Sequence, residues 1–469
     1  MTKKKNILFF FTDDQRFDTI AALGNSAIHT PNMDELVRRG VSFTQAHIPG
    51  GTVGAVCMPS RAMLHTGRTL FHLERDGSVI PEEHALMGET FREAGYRTFG
   101  TGKWHNGPEA FNRSFEEGDE IFFGGMADHW NVPANHYDPS GAYPNRRRII
   151  DNPFYERHIS RENICDHIHP GKHSSELFSD CAISWLEQAD PADARPFFLY
   201  LAFMAPHDPR SMPERFKAMY DPDQIELPDN FLAEHPFDFG VSGIRDEVLA
   251  AQPRKQEEMK EHLAEYYGMI SHLDHELGKV VDCLKRRGVY EDTIIVFAGD
   301  NGLALGQHGL MGKQSSYEHS VRVPLLFSGL GLPANERRNQ YVYLLDIFPT
   351  LCELSEIDIP SSVEGISLLQ AMSDPDAPTR DELYLAYGDC VRAVKNDRYK
   401  LIEYSTASMQ ATQLFDLNGD PSEKANLADN EEHKPLLHHL RTRLQFHREA
   451  SGDDRHPVGQ AFWDNYSKR

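Results

Sequence analysis

Cysteine is scarce in this 469-residue sequence: six residues, at 57, 165, 181, 283, 352 and 390, with no C-x-x-C spacing. That scatter excludes both a disulfide framework and a cysteine zinc cluster. Positive charge is short as well, with 48 Lys and Arg against 71 Asp and Glu, a balance of −23. So acidic a chain lacks the broad positive surface that nucleic acid or an anionic membrane needs, and neither is expected as a partner. Long apolar runs are missing too. The longest in the body, Phe197 to Ala205, falls far short of the ~20 residues that span a bilayer. Lys3 to Lys5 followed by Ile7 to Phe11 imitate an export signal, but the run stops at Thr12-Asp13-Asp14 with no small-residue cleavage site. A soluble, cytoplasmic chain is the expectation.

What is present is the makings of a large core. At 40% hydrophobic and 25% charged residues the composition is that of a globular protein. At ~150 residues per domain the length suggests two or three domains. Near-continuous apolar runs at Asn6–Thr12, Arg97–Gly100, Pro196–Phe203 and Thr293–Ala298, with Pro324–Ser328 as a fifth, read as strands buried on both faces. Helical patterns lie between them: Pro31–Arg39, Ser174–Gln188 and Gln256–Arg287. This alternation predicts an α/β fold, a large mostly parallel sheet flanked by helices. Past Ser361–Thr379, short β-like pieces at 383–387, 391–395, 399–404 and 413–416 precede a helix from Pro435 to Arg448. They predict a small antiparallel sheet with one helix, giving a catalytic domain over 1–370 and a C-terminal subdomain over 371–469.

Each of the four runs ends in polar residues. Asp13-Asp14 follow the first, Lys103 and His105 the second, His207-Asp208 the third and Asp300-Asn301 the fourth. Ligands of open α/β sheets bind beyond the carboxyl ends of strands, so these tails converge on one site. Asp13, Asp14, Asp300 and Asn301 offer only hard oxygen donors, which favours calcium or magnesium over zinc. Asp300-Asn301-Gly302 alone would read as a turn; a second acidic strand end reverses that.

The segment Cys57-Met58-Pro59-Ser60-Arg61, continuing through Leu64 to Thr66-Gly67-Arg68, fills every fixed position of C-x-P-S-R-x-x-x-L-x-T-G-R. It resembles the signature of the type I, formylglycine-dependent sulfatases of the alkaline-phosphatase-like superfamily. The resemblance continues in Gly102-Lys103-Trp104-His105, Ala205-Pro206-His207, Asp300 to Lys313 and the Leu414-to-Leu427 stretch, so it covers nearly the whole chain. A lone Cys57 would read as a buried structural thiol; within the full signature it does not.

The resemblance implies that a separate maturation enzyme oxidises Cys57 to formylglycine, whose hydrated aldehyde is the nucleophile. It implies a divalent cation, calcium ahead of magnesium or manganese, on Asp13, Asp14, Asp300, Asn301 and the oxygen at position 57. The metal and Lys103 would bind sulfate oxygens, Lys313 would lie between sulfate and the leaving oxygen, and Arg61 would hold the hydrated nucleophile and support the metal-bound geometry. His207 would protonate the leaving oxygen, and His105 would assist release of sulfate from the sulfated intermediate. The substrate implied is a small or short sulfated molecule, a carbohydrate by preference. A phosphonate monoester hydrolase or phosphodiesterase of the same superfamily is the nearest alternative, and an inactive sulfoglycan-binding relative is the alternative from another class.

Secondary candidates come from the surroundings. Seven of the 24 histidines fall from His105 to His173, six of them in the stretch from Trp104 to Lys172 that reads as a long loop. His129, Trp130, Arg146–Arg148 and His173 are candidates to read the sugar, with Trp130 as a stacking face. His308, Asp208 and Arg210 are candidates by their nearness to catalytic positions. His272, His275 and Glu276 share a helix without the HExxH or HxxEH pattern and read as a solvated face. Ser60 lacks a G-x-S-x-G elbow, so a serine hydrolase is excluded. Within the expected pocket three carboxylates and three basic side chains cancel, and a calcium ion of charge about +2 leaves it positive inside an acidic protein.

Overall fold

Adjacent residues of the first apolar run go to opposite sides of one sheet. Ile7, Phe9 and Phe11 enter one core, Leu8 and Phe10 the other, and all are fully buried. Such a strand has no polar face, which is why its sequence does not alternate. The structure, a computed structural model, describes residues 4–150, 160–190 and 192–468. Its main sheet has eight strands, in the order Glu336–Arg338, Gly40–Phe43, Leu325–Ser328, Thr293–Gly299, Asn6–Thr12, Phe197–Ala202, Arg97–Lys103 and Glu117–Phe122. Leu325–Ser328 runs antiparallel to both neighbours, and the remaining pairings are parallel. The first, second and third expected strands therefore lie side by side with the fourth, their carboxyl ends on one edge.

A second, five-stranded sheet is built from Leu383–Tyr387, Val391–Lys395, Tyr399–Ser405 and Gln410–Asp416, antiparallel in succession. Its fifth strand comes from far upstream: Gly50–Gly51 pairs parallel with Ala386–Tyr387. The helix Lys434–Ala450 packs on this sheet, and a further helix, Pro457–Tyr466, follows it.

The stretch from Trp104 to Lys172 is not the loop expected. It carries the helix Pro108–Ser114, the edge strand Glu117–Phe122 and an antiparallel hairpin of Arg146–Ile150 with Ser160–Ile164, while 151–159 lie outside the described residues. Among the described residues no helix is long and apolar enough to cross a membrane.

Candidate active site

Thr12 closes the central strand, and the chain then turns sharply. Asp14 adopts a positive φ of 63°, rare for a residue with a side chain. The turn is fastened from three sides: the Asp13 amide donates to Ala205 O (3.1 Å), the Asp14 amide to Asp300 Oδ1 (3.0 Å), and the Tyr266 hydroxyl to Asp14 O (2.6 Å). The Asp300 amide in turn donates to Thr12 O (3.0 Å). Two parallel strands in register thus place Asp13, Asp14, Asp300 and Asn301 at one level, all buried.

The signature segment is the helix Cys57–Thr66, with Cys57 in its first turn. Ser60 Oγ donates to Asp300 O (2.5 Å), which ties this helix to the fourth strand end. Its far end stops at Gly67, in the left-handed region at φ 65°, where the Glu364 and Gly365 amides donate to Gly67 O. Arg68 then bonds Ser362 O (3.1 Å) and pairs with Glu364. The T-G-R half of the signature is therefore a clamp on the helix end, and the C-x-P-S-R half faces the site.

Arg61 is wholly buried and braces the carboxylates. Its Nε donates to Asp300 Oδ2 (2.9 Å), Nη2 to Asp13 Oδ2 (3.0 Å) and Nη1 to Lys103 O (2.8 Å). Lys103 Nζ pairs with Asp13 Oδ2 and lies 3.6 Å from Cys57 Sγ. Lys313 Nζ pairs with Asp14 Oδ1 (2.6 Å), which also accepts from Asn301 Nδ2 (2.6 Å). Each lysine thus stands over one aspartate beside the thiol.

His105 Nδ1 is 3.5 Å from Cys57 Sγ, on a backbone with φ 77°. A side chain at Gly125 would press on His105 Nε2, so the glycine makes room for the ring. His207 Nδ1 donates to Asp208 O (2.7 Å), which turns Nε2 toward Asp14 Oδ2, 3.7 Å away. Burial holds both imidazoles well below the ordinary histidine range, helped by Lys103 at His105 and by Lys313 at His207. Burial likewise raises the Cys57 thiol, and burial together with the charge of Asp13 pushes Asp300 up to about 7.

Two buried oxygens here have no hydrogen-bond partner, Asp13 Oδ1 and Asn301 Oδ1. An orphaned buried acceptor costs about 1–3 kcal/mol, so two together in an otherwise saturated cluster mark places kept for something else. Ligand atoms of Asp13, Cys57 and Asp300 converge within 4.8 Å, as do those of Asp13, Asp14 and His207. Oxygen donors left open around a common centre fit a hard divalent cation.

The cleft above has a volume of about 360 Å³ and is lined by Cys57, His105, His207 and Lys313 together with Gly125, Met126, Arg245, Asp246 and Gln314. A larger hollow beside Phe17 and Arg322, about 690 Å³, contains none of the catalytic candidates. Of the ten catalytic and metal candidates, Cys57, His105, His207 and Lys313 line the first of these, and Asp13, Asp14, Arg61, Lys103, Asp300 and Asn301 form the buried cluster bonded to them and to one another. Arg61 Nε, Nη1 and Nη2 are engaged with Asp300, Lys103 O and Asp13, which matches the part of its expected role that supports the metal-ligand geometry.

The secondary candidates mostly do not reach the cleft. His173 is buried as the N-cap of the helix Ser174–Gln188, its Nδ1 accepting from the Ser175 amide and its Nε2 bonded to Ser211 O. His129 is buried too, stacked on His173, with Nε2 donating to His207 O (2.9 Å), so it steadies His207 from behind. Trp130 sets its ring edgewise on His173. His308 stacks face to face on Tyr317 (3.9 Å) and contacts Asn230. Arg210 bonds His262 Nδ1 (2.9 Å). None of these five lines the cleft. Asp208 is nearer, paired with Arg245 (2.6 and 2.7 Å) and 3.3 Å from His207 Nδ1. His272 and Glu276 are not a solvated face but buried between two helices, and only His275 of that group is exposed.

Arg245, Asp246 and Gln314 were missed. Arg245 bridges Asp208 and Asp246, and Gln314 Nε2 donates to Asp246 Oδ2 (2.6 Å) and Gly54 O (2.9 Å). Arg245-Asp246 sits in a stretch of turns with no periodic pattern, so no local signal marks it. Gln314, directly after Lys313, was within reach.

A sulfatase family model matches residues 5–357, and one for the C-terminal region of N-sulphoglucosamine sulphohydrolase matches 306–450. A sulfatase of Formosa agariphila is 30% identical over 465 residues, covering 94% of this chain and 86% of that protein. An N-acetylglucosamine-6-O-sulfatase of Bacteroides thetaiotaomicron is 22% identical, with 97% and 89% covered. A solved structure described as in complex with its substrate D-glucosamine-2-N,6-O-disulfate superposes with a TM-score of 0.73 at 19% identity, covering 97% of this chain and 99% of that one. At that identity the likeness speaks to the fold.

Proposed function

The chain belongs to the sulfatase family and hydrolyses sulfate monoesters, and we propose that its substrate is a short sulfated carbohydrate, attacked by a formylglycine hydrate derived from Cys57 with calcium as the metal. The observation that carries the substrate reading is the cleft, about 360 Å³ with Cys57 among its walls. That is the low end of small-ligand sites, about 300–1,000 Å³, and suits a short molecule entering end-on better than a polymer lying across. The N-acetylglucosamine-6-O-sulfatase among the relatives supports a sugar as the carrier of the ester.

Calcium on Asp13, Asp14, Asp300 and Asn301 would supply a fixed positive charge beside the sulfate oxygens. The side chains of this protein do the rest. Lys103 and Lys313 present two ammonium groups toward position 57 and balance the negative charge of the ester as it binds. Arg61 keeps Asp13 and Asp300 in place while that charge redistributes. His207 keeps its Nδ1 proton on Asp208 O, so a second proton, the one for the leaving oxygen, would be carried on Nε2, facing the cleft. Burial leaves it neutral in the free site; an anionic ester offsets Lys313 and favours the charged form. His105, neutral and beside position 57, is the base for the atom carried there.

His207→Ala is expected to slow esters with poor leaving groups far more than activated aryl sulfates; equal losses on both refute the acid assignment. Parallel kcat/KM measurements on aryl sulfate and aryl phosphonate esters are expected to favour sulfate by orders of magnitude, and the reverse order would assign the phosphonate alternative. In a screen of sulfated mono- and disaccharides against sulfated polymers, preference for a polymer would overturn the short-substrate reading.

A further inference from the structure

Of the histidines crowded between His105 and His173, the catalytic cleft uses one, and His129 and His173 support the helix and loop behind it. His167 and His169 have no part in that machinery. They follow the hairpin strand Ser160–Ile164, where the chain returns to the edge of the main sheet. His167 pairs antiparallel with Ala134, and Asn135 pairs antiparallel with Ile121 of the edge strand. The edge strand and two further segments thus lie side by side, fastened by a few backbone hydrogen bonds.

Glu120, next to Ile121, reaches across them. Its Oε2 lies 2.9 Å from His167 Nε2 and its Oε1 2.9 Å from His169 Nε2. The three ligand atoms converge within 4.8 Å. Glu120 holds this pose from a backbone with φ 49°, in the left-handed region that residues with a side chain rarely adopt. His167 Nδ1 is buried without a partner. The His136 ring stacks on His167 (4.2 Å) and is anchored by Asp119 (2.8 Å), which limits how His167 can turn. The side chains of Glu120 and His167 are 11% and 21% exposed and that of His169 is 43% exposed, so the group is fixed at its base and open at one end.

We propose that Glu120, His167 and His169 form a second metal site, for a zinc-class divalent ion, which clasps the hairpin to the sheet edge. Two imidazole nitrogens and one carboxylate suit zinc or its transition-metal neighbours, whereas the oxygen-only set at the strand ends suits calcium. On binding, each imidazole turns its Nε2 lone pair to the metal, and the proton now shared with Glu120 moves to Nδ1 or to solvent. The fourth position opens to water beside the exposed His169. The stretch so held also supplies Gly125, Met126 and Asn163 to the cleft wall, so occupancy acts on substrate affinity and not on the chemical step.

The test uses the full-length protein, stripped with a zinc-selective chelator, kept in excess calcium and titrated with Co²⁺ as a visible-absorption probe. One saturable equivalent with four-coordinate absorption, displaced by Zn²⁺, is expected. Glu120→Gln and the pair His167→Ala with His169→Ala are each expected to weaken cobalt binding by about 100-fold or more and to raise KM with kcat little changed. His169→Gln, at the exposed ligand, keeps the comparison valid if the double variant does not fold, as judged by circular dichroism. Absence of a saturable equivalent in the wild-type protein, or binding unchanged in the folded variants, overturns the proposal.

Discussion

Two buried clusters of charge, one at the strand ends around Asp13 and Asp300 and one around Glu318, Lys395 and Lys400, use the same residue types and close to different degrees. In the second, Glu318 accepts from both lysines at 2.7–2.9 Å, and Glu423 accepts from Lys400 (2.7 Å) and from the Glu318 amide (2.8 Å). A companion pair, Arg392 with Asp453 (2.7 and 2.8 Å), is completed by the Tyr384 hydroxyl and the Trp463 indole. None of these charged groups has an orphaned atom, while the strand-end cluster leaves Asp13 Oδ1 and Asn301 Oδ1 unmet. The closed cluster around Glu318 joins the C-terminal sheet to the main body. The strand-end cluster holds open valences in place, at a cost in stability, as a cation site would. Closure separates an ion pair that holds a fold from one that does chemistry.

The contrast breaks most sharply at the nucleophile. Cys57→Ala is expected to remove on the order of 10⁶ in kcat, the scale for loss of a nucleophile, while the thermal midpoint stays close to that of the parent. A large fall in midpoint would mean that Cys57 serves the core. Next comes the closed cluster: Asp453→Ala strands a buried arginine and is expected to cost about 3–5 kcal/mol in denaturant unfolding, with kcat of the folded fraction unchanged. A loss below ~1 kcal/mol would remove the distinction.

Asp300→Asn sharpens it from the other side. It is expected to lower kcat by about 10²–10³, as loss of one electrostatic stabiliser does, yet to shift stability by no more than about 1 kcal/mol. The smallest effect is in pH. Asp300 is raised by burial and Asp13 from 3.8 to about 7, so the folded protein keeps a proton that the unfolded chain has lost. Its contribution is therefore full below 3.8 and declines as pH rises toward about 7. Chelator-treated protein should lose midpoint across that window and calcium should restore it; a midpoint rising with pH would contradict the assignment.

Much of the site was legible because the chemistry sits where apolar runs stop. Asp13 and Asp300 announce themselves as polar residues directly after strands, Lys103 closes its strand and His207 follows a few residues past one, and the parallel register does the rest. The supports were not legible. His129 and His173 lie in a stretch without periodicity, where burial leaves no trace in sequence, so they read as substrate contacts although both are fully enclosed. Gly50–Gly51 has no strand character of its own and becomes a strand only through Ala386–Tyr387, more than three hundred residues on. Arg245 acquires its place by pairing with Asp208 across a loop. Long-range partners decide such residues, and local pattern carries no record of them.

The most direct test is mass spectrometry of the Cys57 peptide from fully active protein made in its native host. Replacement of the thiol by an aldehyde is the predicted result. An intact thiol in protein that turns over sulfate esters at full rate would contradict the account, since a buried, protonated sulfur beside Lys103 would then have to do the work assigned to the aldehyde hydrate.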